Sequence, residues 1–171
     1  MYFKSGILIN WGCRFFCIIF LLYLKFNKTI NMYNFIQKFH SGWAYLAILL
    51  LVIAVVNSFI GKSSQKEFTA KDRKIALFAL IGTHIQLLVG LVLYFLSPLG
   101  SAVFGQMKNE AYRLTSLEHP LINIIAIVLI TIGWSKHKKA ATNEAKFKSI
   151  GIFYGIGLVL ILSKIPWSLW F

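Results

Sequence analysis

Acidic residues are scarce in this chain: five Asp and Glu stand against 18 Lys and Arg in 171 residues. No two carboxylates share an apolar run, so the hydrophobic part of the molecule has no carboxylate pair for general acid–base work. Cysteine is nearly absent as well. Cys13 and Cys17 are the whole supply. Their C-x-x-x-C spacing matches neither a zinc motif nor a c-type haem attachment site, and they read as small core residues. The loops hold no nucleophile beside a base and no glycine-rich phosphate loop, and His and Glu do not occur at zinc-protease spacing. Hydrolase and nucleotide-driven transport functions therefore have little to rest on.

Charge of either sign is thin on the ground. Charged residues make up 13% of the chain and hydrophobic ones 58%, which is too apolar for an ordinary soluble domain. Several runs reach or approach the ~20 residues that cross a bilayer, so lipid is the expected surrounding. The net charge of +13 could suggest nucleic acid, but its location argues otherwise. The lysines gather in two short connections between apolar runs, as in cytoplasmic loops. Nucleic-acid binders interleave basic residues with exposed polar and aromatic surface, and this chain does not. No nucleic-acid partner is expected.

Residues 1–31 differ from the rest. An apolar run at 7–24 is interrupted by Arg14, followed by Lys25 and Lys28, and lacks the small residues of a cleavage site. Met32 then opens MYNFIQKFHSGW, which reads as a natural start, so 1–31 is expected to be an upstream extension or an extra anchor and 32–171 the bundle. Four helices follow, at about 35–60, 70–96, 116–134 and 148–165. Asn34 and Gln37 offer a weak cap for the first. Thr69 with Asp72, and Thr115 with Glu118, have capping-box spacing for the second and third. Pro120 falls in the first turn of the third helix, where few amide donors are needed. Short loops imply an all-α, up-down-up-down transmembrane bundle. Its two lysine-rich connections are expected in the cytoplasm of a bacterial inner membrane, with both ends of 32–171 outside. Trp167 and Trp170 in the closing WSLWF read as an interfacial anchor.

The histidines are the candidate functional residues. The first and third helices run in the same direction and lie diagonally in such a bundle. His40 stands about 20 residues before the end of the first, and His119 about 17 before Lys136; at ~1.5 Å per residue they differ in depth by one turn. Two imidazoles so placed can ligate one flat macrocycle from opposite sides, as axial histidines hold haem iron. A histidine at a membrane boundary is also often a plain interfacial residue. His84 falls near mid-membrane, as an alternative ligand, a proton or quinone contact, or a hydrogen-bonded core residue, with the last ranked first. His137, in SKHKK, reads as a solvated loop residue. Asn123 lies four residues after His119 on the same face. Gly42 and Gly90 remove bulk where a ring would need room, and Arg113 and Lys164 are cations suited to propionates. Arg113 can instead pair with Glu110 or Glu118, and Lys164 can snorkel. Gly151 and Gly155 form a G-x-x-x-G that marks close helix packing.

The text MYNFIQKFHSGWAYLAILLLVIAVVN, then FTAKDRKIALFALIGTHIQLLVGLVLYFLSPLG, then RLTSLEHPLINIIAIVLITIGWSKHKK and ILSKIPW, resembles a family of small four-helix bacterial membrane proteins labelled cytochrome b-like. The resemblance covers residues 32–171. It implies haem b electron transfer carried at His40, His84 and His119. The parallel-helix histidine pair is also similar to that of larger b-type cytochromes and of each half of haem A synthase, but the second pair of those proteins is missing here. The expected function is an electron-transfer subunit with one haem b between His40 and His119 near the outer face, exchanging electrons with quinol or a partner subunit. A stand-alone enzyme is not the expectation. The alternatives are a haem-free accessory or assembly subunit of a larger complex, and haem-handling chemistry.

Overall fold

A computed structural model describes the backbone of residues 5–169 and the side chains of residues 30–169. Trp170 lies outside the residues so described, as do the side chains of Cys13, Cys17 and the rest of the 1–31 segment apart from its last two. The described residues are helical throughout, without strands. The helices are α1 (Ser5–Ser63), α2 (Ala70–Leu96), a single-turn α3 (Glu110–Arg113), α4 (His119–Lys139) and α5 (Asn143–Ser163). Four stretches are long and apolar enough to cross a bilayer: Ile30–Ser63, Ala70–Leu96, Glu110–Lys139 and Asn143–Ser163. Phe35, Leu88, Phe95 and Val159 are among many large apolar side chains exposed on their outer faces. In lipid, that distribution carries no penalty.

The four long helices pack as a ring, α1 against α2, α2 against α4, α4 against α5 and α5 back against α1. α1 and α4 therefore face each other across the diagonal. The bundle is closed in the half nearer the lysine-rich connections, where Leu51, Ala54, Ala76, Ala79, Ile130, Ile150 and Tyr154 form the core. Alanines and glycines let the backbones approach there. A Cβ on Gly157 would stand 2.7 Å from Ile130 Cγ1, and one on Gly133 would stand 2.6 Å from Phe153 Cβ. Tyr154 is fully buried and donates its hydroxyl to Ala76 O at 3.1 Å, tying α5 to α2. Trp43 Nε1 does the same between α1 and Gly82 O at 3.0 Å.

The second helix starts as its sequence predicts. Thr69 caps it, and Asp72 returns a bond to the Thr69 amide at 2.9 Å. Asp72 is buried and also takes Lys66 Nζ at 2.7 Å and Asn57 Nδ2 at 2.9 Å, which fastens the connection to α1.

The other helix boundaries depart from the expectations. α1 runs through Asn34 and Gln37 without a cap and ends at Ser63. α5 begins five residues early, capped by Thr142, whose hydroxyl accepts from Ala145 N. The third span does not begin with a Thr115–Glu118 capping box. It begins at Glu110, capped by Asn109, whose side chain accepts from Ala111 N and Tyr112 N. Residues Leu114–Glu118 form a widened π turn, in which His119 N–H donates to Leu114 O. The cause is Pro120, which has no N–H to return to the preceding turn. Thr115 and Ser116 hydroxyls turn back onto Ala111 O at 3.0 Å and Tyr112 O at 2.5 Å, serving carbonyls that the wider turn serves poorly.

Candidate functional site

The half of the bundle away from the lysine-rich connections is open. A cavity of about 200 Å³ lies between α1, α2, α4 and the end of α5. Its wall is mostly apolar, including Ala44, Leu87, Leu91, Ile127 and Ile161, with polar side chains such as Gln37, Ser41, Thr83 and Gln86 set among them. His40 enters from α1 and His119 from α4, the diagonal pair. Their ring centroids are 6.4 Å apart with planes at 78°.

Each ring is held differently. His119 Nδ1 lies 2.8 Å from Lys164 O, an acceptor only, so Nδ1 carries the proton and Nε2 is left as the basic nitrogen. Asn123, one turn on, donates to His119 O at 2.6 Å and stands 3.2 Å from the same ring nitrogen. That closes one side of the imidazole. His40 is steered by Gln86 of α2, whose Nε2 lies 3.0 Å from His40 O and 3.3 Å from His40 Nε2. His40 Nδ1 and Gln86 Oε1 are buried with no hydrogen-bond partner among the described residues. Buried polar atoms without partners are costly, and they suit a site that receives something. Gly90 supplies the clearance beside His40: a Cβ there would come within 3.0 Å of His40 Cε1.

The remaining candidates divide. Asn123 and Gly90 line the cavity. Gly42 does not; it is exposed, with nothing within 4 Å of a Cβ placed on it. Two residues apart on a helix, Gly42 and His40 point to opposite faces. His84 also stays out of the cavity. Its Nδ1 donates to Leu80 O at 2.8 Å, and its Nε2 faces Thr131 of α4 at 3.4 Å. It behaves as the hydrogen-bonded packing residue ranked first above. Arg113 and Lys164 do not line the cavity, and both are tied to Glu118, at 2.8 Å and 2.9 Å. His137 is corrected outright. α4 continues to Lys139, which turns His137 inward, 3% exposed, with its ring 4.4 Å from Trp134 and 5.7 Å from Phe68.

Gln86 is the site residue that sequence reasoning missed. A usable signal was there: an uncharged amide inside an apolar helix, four residues before Gly90 and so on its face. His84, two residues earlier, drew attention to the wrong face.

Two imidazoles at this separation are a donor pair of the kind that can flank one metal ion, but the space around them, about 200 Å³, is smaller than a macrocycle needs. Two ring nitrogens each about 2 Å from one metal ion set the ring centroids roughly 6 Å apart, close to the separation observed. The His119 arrangement, with Nδ1–H on a backbone carbonyl and Nε2 free, is the usual orientation of a ligating histidine. Among the described residues no group of three or more His, Cys, Asp or Glu is placed to hold a metal ion. No family model, curated protein or solved structure matches the chain.

Proposed function

We propose that the chain is a multi-pass protein of a bacterial cytoplasmic membrane that acts as a b-type cytochrome-like electron-transfer subunit, with one haem b held between His40 and His119. The observation that carries this reading is the meeting of two imidazoles from diagonally opposed helices across an apolar cavity. A haem so held exchanges one electron at a time, at a potential set by its ligands and by the low-polarity wall. The chain's own residues supply the rest. Lys164 O fixes the His119 tautomer, Asn123 shields its flank, Gln86 carries His40, and Gly90 keeps the approach open.

The cavity is smaller than the ~300–1,000 Å³ common for organic ligands, so a macrocycle requires the wall at Leu87, Leu91 and Ile127 to move outward. By the positive-inside rule the lysine-rich connections are cytoplasmic, which sets the histidines toward the outer leaflet. Quinol or a partner subunit on that side is the electron source or sink. Electron transfer, rather than a complete catalytic cycle, is the role proposed.

A second reading is a haem-free accessory subunit of a larger membrane complex. It is favoured by one observation: Arg113 and Lys164, the cations suited to propionates, are both already engaged by Glu118. A reduced-minus-oxidised spectrum separates the two. The first reading expects a sharp low-spin haem b signal from the purified protein, lost in His40→Ala and in His119→Ala. A colourless, folded protein from haem-replete cells would overturn it and leave the second.

A further inference from the structure

The lysine-rich end holds a cluster that the electron-transfer reading does not use. Phe68, Trp134, His137 and Phe147 stack there, with ring centroids 4.4–5.7 Å apart. Cations from three helices stand over these rings. Arg73 of α2 and Lys138 of α4 lie 6.0 Å and 5.9 Å from the Trp134 ring, and Lys146 of α5 lies 6.0 Å from Phe68. Within the cluster, His137 is 3% exposed, and its Nδ1 has no hydrogen-bond partner among the described residues.

The carboxylates at this end stand apart from the three cations. Asp72 is taken by Lys66, Glu144 stands 3.9 Å from Lys62, and Glu67 is exposed and in no ion pair among the described residues. Arg73, Lys138 and Lys146 have no carboxylate within salt-bridge distance among the described residues. Three like charges thus flank the Trp134 and Phe68 rings on either side of His137 with no carboxylate among them, and the buried His137 Nδ1 lacks a hydrogen-bond partner among the described residues. A diester phosphate relieves both faults: its oxygens accept from Arg and Lys together and can accept from a ring N–H. The cluster sits where the apolar spans end, at the level of lipid headgroups.

We propose that Arg73, Lys138 and Lys146, with His137 behind them, form a seat for the phosphate of an anionic phospholipid. The seat is specific, unlike the diffuse attraction of Lys71, Lys74 and Lys139 on the same end. It is independent of any haem at the other end.

The test is native mass spectrometry of the full chain released from nanodiscs of phosphatidylglycerol or of phosphatidylcholine. Retention of phosphatidylglycerol over phosphatidylcholine is expected. It should weaken about tenfold or more in R73Q/K138Q/K146Q but much less in the equal-charge control K71Q/K74Q/K139Q. His137→Phe keeps a ring against Trp134 and Phe68 and leaves the formal charge unchanged; it should weaken retention severalfold. Equal loss in the two triple variants, or no loss in His137→Phe, would mean a diffuse basic surface and overturn the seat. Equal retention of phosphatidylcholine would overturn the requirement for an anionic lipid. Displacement by inorganic phosphate at matched concentration would assign the seat to the free anion instead.

Discussion

The backbone oxygen of Lys164 accepts the Nδ1 proton of His119, 45 residues away in sequence and 2.8 Å away in space. The end of α5 therefore sets the orientation of a side chain on α4. What holds that end in place is Glu118, which binds Lys164 Nζ at 2.9 Å and Arg113 Nε at 2.8 Å. Glu118→Gln should loosen the α5 terminus while leaving the core intact. Amide exchange from Ile165 to Leu169 is expected to speed up severalfold, with little change in Trp43 or Tyr154. Unchanged exchange at the terminus would mean that Pro166 and packing alone hold it.

Two glycines, read alike from sequence, should behave oppositely. Gly90→Leu fills the space beside His40 and should abolish cofactor binding in a folded protein. Gly42→Ala meets open space and trades glycine for the best helix former, so it should stabilise by up to about 1 kcal/mol. Spectra and thermal melts of the pair check both statements.

The G-x-x-x-G motif gives a second contrast. Cβ atoms on Gly151 and Gly155 would sit 3.5 Å and 3.9 Å from their nearest neighbours on α1, which is ordinary contact. Gly157, outside the motif, has no such room. Gly157→Ala should cost about 1–3 kcal/mol by overpacking against Ile130 and Ala126 O, whereas Gly151→Ala and Gly155→Ala should be tolerated. Denaturation in detergent of the three variants is the measurement.

Asp72 serves four partners at once: the Thr69 amide and hydroxyl, Lys66 and Asn57. Asp72→Ala removes a capping box and leaves the partly buried Asn57 and Lys66 donors without their acceptor, at an expected cost of about 2 kcal/mol. Asp72→Asn keeps an acceptor for Thr69 and should cost less. Equal losses would show that the Lys66 ion pair, rather than the cap, dominates.

What could be read from the residues followed the range of the interactions involved. The span 70–96 was legible at both ends because Thr69–Asp72 and Ser97-Pro98 act locally. The matched depth of His40 and His119 on diagonal helices was legible too, since helix direction and depth follow from hydropathy and loop length; that their rings face one another was not, because the bearing of His119 depends on the π turn before it. The start of the third span was not. Thr115 and Glu118 carry a capping pattern, but Asn109 had already begun the helix, and Glu118 is drawn to cations 5 and 46 residues away. His137 was misplaced because lysines on both sides concealed one inward-facing position. Gln86 went unnoticed because its partner, His40, lies 46 residues off on another helix.

The π turn at Leu114–Glu118 accommodates one residue more than an α-helix would over the same rise. Helical phase is therefore not conserved from α3 into α4: each residue is worth about 100° of rotation. Deleting a single residue in that turn would close it to an ordinary α-helix and leave His119 on its present bearing, because the π turn exists to hold that residue. Tightening the turn with every residue kept would instead swing His119 away from His40 by about a quarter of a circle. Whether the two imidazoles meet is thus decided by how this one turn is wound, while a length change in the 97–109 connection leaves the bearing of His119 untouched.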